Sequence, residues 1–294
     1  MKEIVYFNGK LVPRQEAKVS VDDHGFLYGY ALFETMRAYQ GNIFRLEAHL
    51  RRLREGMEVL QLASGLPETD LARACMETLR ANNLTEARVR LTVSRGEMAD
   101  FPGGEATAPT VLVTARLYIP LPPEVYARGY TALLSASTRC AHSPLSGLKS
   151  ANYLASVLAR KEAEAADCPE ALLLNERGTI AEGSASNVFF VKDGGLVTPP
   201  LESGILPGIT REVAMELAQN AGIEIVEREI SPAELDSFEE AFLTNSVMEI
   251  MPLVGVQDKG KLITIGSGKP EEVTRKLTAA YKALVAKETA ARYG

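Results

Sequence analysis

Three prolines fall within five residues at Ile119-Pro120-Leu121-Pro122-Pro123, and no other stretch constrains this chain as strongly. Proline has no amide hydrogen to give a sheet, and consecutive prolines stiffen an extended crossing. The stretch therefore reads as a linker, 119–123, between an N-terminal part, 1–118, and a C-terminal part, 124–294. A chain of 294 residues is long enough for two domains, which is the division the prolines suggest. On both sides hairpins are mixed with amphipathic helices. The regular strand–helix alternation of a doubly wound sheet is missing, so the expected class is mixed α/β in two domains.

Local patterns give the expected elements. Residues 2–12 read as a hairpin and 16–21 as a short strand. Asp22-Asp23-His24-Gly25 reads as a turn, followed by strands Phe33–Tyr39 and Ile43–Arg45 around Gln40-Gly41-Asn42. Leu46, Leu50, Leu53, Met57 and Leu60 form the stripe of a helix over 46–62, and a second helix covers 68–82. Strands follow at 87–96 and 109–118. The loop between them, 97–108, is long enough to suggest an active-site cover. In the second part the strands are Tyr130–Ala136, Ala171–Asn175, Ile180–Glu182, Asn187–Val191, Leu196–Thr198, Glu224–Arg228 and Glu240–Thr244. Helices are expected from Ser150, at Thr210–Ala221, at Pro232–Ser237 and around 270–290. Val247–Pro252 reads as loop.

Composition excludes several partners. Thirty-two basic against 38 acidic residues leave a net charge of −6, with no basic run, so nucleic acid is not expected. No apolar run approaches the ~20 residues of a membrane helix. The N-terminus lacks the apolar core of a signal peptide. Three scattered cysteines suit reduced thiols in a cytoplasm. Three histidines without ligand spacing give no metal site.

Candidate chemistry lies in the second part. From Ser150, the residues Ala151, Leu154, Ala155, Leu158 and Ala159 recur at helical spacing, which puts Lys149 at the mouth of a helix. The dipole there disfavours an ammonium and suits a lysine that must lose its proton to attack an aldehyde. Pro207-Gly208 turns the chain into Ile209-Thr210-Arg211-Glu212, where helix-terminal amides and the Thr210 hydroxyl make a phosphate cup. Glu182-Gly183-Ser184-Ala185-Ser186-Asn187 sets a carboxylate among small residues. Thr244-Asn245-Ser246 ends a strand with groups able to bind an anion. Each stretch alone is better read as an ordinary turn, cap or exposed lysine. Together they point to an aldehyde bearing a phosphate and a basic ring nitrogen, pyridoxal 5′-phosphate.

The segments KSANYLASVLARKEA, EGSASNVFFV, TPPLESGILPGITRE and FLTNSVMEIMPL resemble the class IV, or fold type IV, pyridoxal-phosphate enzymes. DHGFLYGYALFETMRAYQGNIFRLEAHLRRL at 23–53 resembles that family's N-terminal motif, and the likeness runs from about residue 4 to about 258. The family includes branched-chain and D-amino-acid aminotransferases, (R)-amine transaminases and aminodeoxychorismate lyases. The resemblance implies a two-domain fold with the cofactor between the domains, and a homodimer or higher homo-oligomer. By the same match Lys149 is the Schiff-base lysine and Glu182 the carboxylate at the ring nitrogen. Tyr153 is the phenol at the ring hydroxyl, and Leu206 packs on the ring. Arg45, Ile209, Thr210 and Ser246 hold the phosphate. Phe33, Thr35, Arg37, Arg90, Tyr30, Val247 and Met248 are the substrate-binding candidates.

The chain departs from the family in places. Tyr28-Gly29-Tyr30-Ala31 replaces the commoner pattern with an acidic residue and a second glycine, and Tyr30 would narrow the pocket. Arg88-Val89-Arg90-Leu91 lies where branched-chain enzymes carry a tyrosine and an arginine, so Arg88 replaces the tyrosine. The expected function is amino transfer between an amino acid, branched-chain-like, or an amine and a 2-keto acid. Thr35 keeps a second expectation open, aminodeoxychorismate lyase. A non-catalytic cofactor-binding protein is the alternative from another class.

Overall fold

The computed structural model describes residues 3–62, 66–97 and 108–290, which form two compact units. Most of the expected loop cover, 98–107, lies outside the described residues. Unit 1 takes in Met1–Ile119, Leu148–Asn152 and Val285–Gly294, and unit 2 Pro120–Gly147 and Tyr153–Leu284. The chain changes unit between Ile119 and Pro120. It also crosses at three places that a single cut does not anticipate, on either side of Leu148–Asn152 and before Val285.

Unit 1 is an antiparallel sheet backed by helices. Its elements are β1 (Ile4–Phe7), β2 (Lys10–Pro13), a five-residue helix α1 (His24–Tyr28), β3 (Ala31–Tyr39) and β4 (Asn42–Ile43). Helices α2 (Leu46–Val59) and α3 (Glu68–Ala81) follow, then β5 (Ala87–Ser94) and β6 (Thr110–Leu117). The spatial order is β2-β1-β6-β5-β3-β4. Alternation decides the faces: on β5, Val89, Leu91 and Val93 are fully buried while Arg88 and Arg90 are exposed. Leu32, Met36 and Ala38 from β3 join them under Leu50 and Leu53 of α2 and Leu71, Cys75 and Leu79 of α3.

Two of the expected strands shift. Residues 16–21 form no strand, because Arg14–Glu16 takes a short 3-10 turn. Arg45 is not in a strand; it caps α2 with a left-handed backbone, φ 53°.

Unit 2 begins with α4 (Pro123–Arg128), β7 (Tyr130–Arg139), α5 (Leu154–Ala165) and β8 (Glu170–Asn175). Strands β9 (Ile180–Gly183), β10 (Asn187–Lys192) and β11 (Gly195–Thr198) lead to α6 (Ile209–Asn220) and β12 (Ile225–Glu227). The chain then runs through β13 (Glu240–Asn245), β14 (Glu249–Asp258), β15 (Lys261–Thr264) and α7 (Glu272–Thr289), whose last turn counts with unit 1. The sheet order is β12-β11-β10-β13-β14-β7-β8-β9, with β15 beside β14. Parallel pairing joins β11 to β12, β14 to β7 and β7 to β8. Phe189 stacks on Phe242 and Phe190 on Phe238 inside it.

The expected loop Val247–Pro252 is largely strand. β14 runs through Pro252, opposite Phe242, with a register shift between Leu253 and Gly255. The Pro232–Ser237 helix is a 3-10 segment closed by a capping box between Ser231 and Glu234.

The most consequential correction concerns Lys149. The helix starts at Leu154 with Tyr153 as its cap, not at Ser150. Backbone pairing intervenes: Phe33 N donates to Lys149 O at 2.9 Å, Ala151 N donates to Ala31 O at 2.8 Å, and Ser150 bridges Leu32. Those bonds commit 149–151 to an extended conformation beside β3, so Lys149 belongs to unit 1 and is not in the first turn of a helix. The stripe is also misjudged. Leu154 and Leu158 face outward, 68% and 54% exposed, while Ser156, Ala159 and Ala163 pack inward.

Candidate active site

Each unit carries part of the predicted set. In unit 1, Phe33, Thr35 and Arg37 alternate onto the sheet face away from the core, with Thr35 opposite Arg90. The Lys149 Nζ lies 4.7 Å and the Arg90 guanidinium 3.7 Å from the centre of the Phe33 ring. An aromatic face attracts a cation, so this ring steers both groups. Arg37 is buried between the rings of Tyr39 and Tyr118, at 4.3 and 4.5 Å. Tyr30 is a correction. It packs against the core residues, and its hydroxyl donates to Leu60 O at 2.6 Å, which ties it to the end of α2 instead of narrowing a pocket. Arg45, the phosphate candidate, pairs with Glu288 at 2.9 Å.

On the core face of the same sheet, Glu34 accepts from His49 Nδ1 at 2.7 Å and from Arg52 Nε and Nη2 at 2.9 and 2.6 Å. Burial pushes the Glu34 carboxyl upward, but Arg52 and His49 outweigh it and hold the group down at about 2. Burial also pushes His49 below its usual range, so at neutral pH Arg52 supplies the charge.

In unit 2 the predicted carboxylate is the centre of a network. Glu182 accepts from Arg139 Nη1 at 2.8 Å, from the Leu206 amide at 2.9 Å and from Asn187 Nδ2 at 3.2 Å. Arg139 is fixed in turn by Gly204 O at 2.7 Å, and Asn187 by Leu206 O at 2.9 Å. A Cβ on Gly208 would come within 2.0 Å of Asn187 Oδ1, so a side chain there would push Asn187 off. Tyr153 donates to Ser184 O at 2.9 Å. Burial first, then Glu182 and Glu170, pushes its hydroxyl up to about 12. Glu170 is itself buried and accepts from the Ser184 amide and hydroxyl and from Ser186 Oγ at 3.0 Å, which holds the loop after β9.

Ile209 and Thr210 open α6, whose cap Gly208 supplies no side-chain hydrogen bond. First-turn amides have no carbonyl four residues back, so this end is suited to an anion. The Thr244 hydroxyl is buried and has no partner among the described residues. Two expectations fail at the neighbouring turn. The amides of Val247 and Met248 both donate to Asn245 Oδ1, at 2.9 and 2.8 Å, and are not offered outward. The Met248 side chain belongs to the unit 2 core and is not available to a substrate. Arg139 and Asn187, which hold Glu182, and Glu170, which holds the loop after β9, are not among the sequence candidates. Asn187 stood in the quoted EGSASN motif, but Arg139 and Glu170 reach their partners across the sheet from distant sequence and left no local signal.

The family model described as amino-transferase class IV matches residues 31–256. This chain belongs to the class IV aminotransferases. A Methanocaldococcus jannaschii protein named provisionally as a branched-chain-amino-acid aminotransferase is 38% identical over 281 residues, 95% of each chain. The aminodeoxychorismate lyase of Bacillus subtilis is 33% identical over 283 residues, 95% of this enzyme and 94% of that one. Among solved structures, the branched-chain aminotransferase of Escherichia coli matches with a TM-score of 0.91 and 31% identity, covering 100% of this chain and 98% of the other. The branched-chain enzyme of Thermobaculum terrenum, solved in its PLP-form, matches with a TM-score of 0.86 and 29% identity over 97% and 94%. The likeness to these structures confirms the mixed α/β, fold type IV architecture. The chain is an enzyme of amino transfer. No helix among its described residues is long and apolar enough to cross a membrane.

Proposed function

We propose that this aminotransferase uses pyridoxal 5′-phosphate to move an amino group between a branched-chain-like amino acid and a 2-keto acid. The observation that carries the reading is Lys149, held by backbone pairing beside β3 with its amine over the Phe33 ring. The donor set fits the cofactor. It comprises one amine, a guanidinium at Arg45, a carboxylate at Glu182, a helix start without a side-chain cap and a buried unpartnered hydroxyl at Thr244. Lys149 would hold the cofactor, Arg45, Ile209, Thr210 and Ser246 its phosphate, Glu182 its ring nitrogen, Tyr153 its ring hydroxyl and Leu206 its ring face. When bound, the cofactor takes up the electron pair left as the substrate Cα loses its proton.

The rest of the chemistry belongs to the chain. Lys149 Nζ removes the proton at Cα and returns one. Glu182, fixed by Arg139, Asn187 and the Leu206 amide, keeps its carboxylate ready for the ring nitrogen's proton. Tyr153 stays protonated at neutral pH and remains a donor. Phe33, Thr35, Arg37, Arg90 and Val247 are the substrate contacts of this reading. The enzyme works as a homodimer, supported by apolar side chains left in water: Leu154 and Leu158 on α5, and separately Phe26, 72% exposed, on α1. Unpaired Cys75, Cys140 and Cys168 support a reducing compartment, the cytoplasm.

The test is leucine with 2-oxoglutarate. The expected products are 4-methyl-2-oxopentanoate and glutamate, formed by wild type and not by Lys149→Ala. A lyase reading has its own support in the Bacillus subtilis relative and in Thr35 on the face that carries Arg90. Rapid release of pyruvate from aminodeoxychorismate, with leucine untouched, would replace the first reading by the second.

A further inference from the structure

The open face of the unit 1 sheet carries a row of like charges. Arg37 on β3 lies directly opposite Arg88 on β5, and Arg88 directly opposite Arg116 on β6. Like charges in cross-strand register are destabilising, so such a row needs a compensating charge. Several nearby acidic groups are engaged elsewhere. Glu34 lies on the other face and is taken by His49 and Arg52. Glu86 accepts from the Gln40 amide. Arg116 pairs with Glu3 at 3.2 Å, in a half-exposed contact. Arg37 is held between two tyrosine rings. Arg88 is exposed, and among the described residues no carboxylate pairs with it.

The row adjoins the chemistry. Arg90 stands two residues from Arg88 on the same face, about 7 Å along the strand. It covers the ring that Lys149 also covers. Two arginines at that backbone spacing on one face can reach two carboxylates on one extended chain of about five carbons, and each guanidinium can grip its carboxylate bidentately. We propose that Arg88 is a specificity-determining residue: it takes one carboxylate of a dicarboxylic substrate while Arg90 takes the other. Arg37 and Arg116, flanking Arg88 in register, raise the local positive potential.

The inference rests on the active-site reading given above, so its test does not depend on turnover. Binding of glutarate and of 4-methylvalerate, two unreactive acids with and without a second charge, is measured by calorimetry on the holoenzyme. Wild type should bind glutarate about tenfold more tightly, the factor carried by one such contact. Arg88→Gln should remove that preference and leave 4-methylvalerate within about twofold, while Arg88→Lys should keep part of it. Equal affinity for both acids in wild type, or an equal loss for both in Arg88→Gln, overturns the proposal. Failure of the active-site reading shows separately, as undiminished amino transfer by Lys149→Ala.

Discussion

Two buried carboxylates, one in each unit, are built in opposite ways. Glu34 takes its donors from a single helix, His49 and Arg52 three residues apart on α2, so the pair joins one strand to one helix. Glu182 takes its donors from three separate segments: Arg139 at the end of β7, Asn187 at the start of β10 and Leu206 before α6. A donor pair on one helix fastens a strand to that helix. Convergence of distant segments on one carboxylate fixes a position and an orientation, which is what chemistry requires. Under the proposed function Glu34 serves as a structural charge and Glu182 as a functional one, and the two should fail differently when altered.

Glu34→Gln should give the largest loss of stability, about 3–5 kcal/mol, because it leaves Arg52 buried without its counter-charge. Urea unfolding measures it, and the folded fraction should keep its cofactor affinity. The pH dependence follows from the same group. Its carboxyl titrates at about 2 in the fold and at 4.5 when free, so its contribution is complete above pH 4.5 and disappears as pH falls toward 2. Glu34→Gln should therefore lose less stability than wild type across that window.

Glu182→Gln should invert the pattern. The cofactor stays bound and the protein stays folded, while proton removal from the substrate slows by about 10²–10³-fold, the scale of losing one preorganised electrostatic contact. Single-turnover kinetics on Cα-deuterated leucine would check it, and near-normal rates would move Glu182 into the structural class. Arg45→Ala should weaken cofactor affinity by about tenfold or more, since charge-assisted contacts carry about 1.5–3 kcal/mol. An unchanged dissociation constant would place the phosphate elsewhere and leave Arg45 the structural role its ion pair with Glu288 suggests. The smallest effect belongs to Arg88→Gln, which removes the middle charge of the arginine row and should raise stability by a few tenths of a kcal/mol.

Legibility of the sequence followed the same division. Elements set by local periodicity were readable: the alternation of β5 and the stripe of α2 match their strand and helix closely. The family motifs named Lys149, Glu182 and Tyr153 as candidates. Lys149's surroundings were not readable, because pairing of 149–151 with Ala31–Phe33 over more than a hundred residues overrode the helical spacing that follows. β14 was hidden for a related reason. Pro252 and Gly255 look like breakers, yet neighbours on both sides hold the strand. Tyr30 failed by parity. One residue before β3, it takes the core side with Leu32 and not the open side with Phe33. Arg139 left no trace at all, since its tie to Glu182 spans sequence that no short motif covers.

The central claim is that Lys149 is the residue that carries the cofactor. Borohydride reduction of the protein loaded with pyridoxal 5′-phosphate, followed by peptide mass mapping, tests it directly. The account predicts one phosphopyridoxyl mass per chain, on the peptide containing Lys149, and none in Lys149→Ala. A label on a different lysine, or a label that persists in Lys149→Ala, would contradict it.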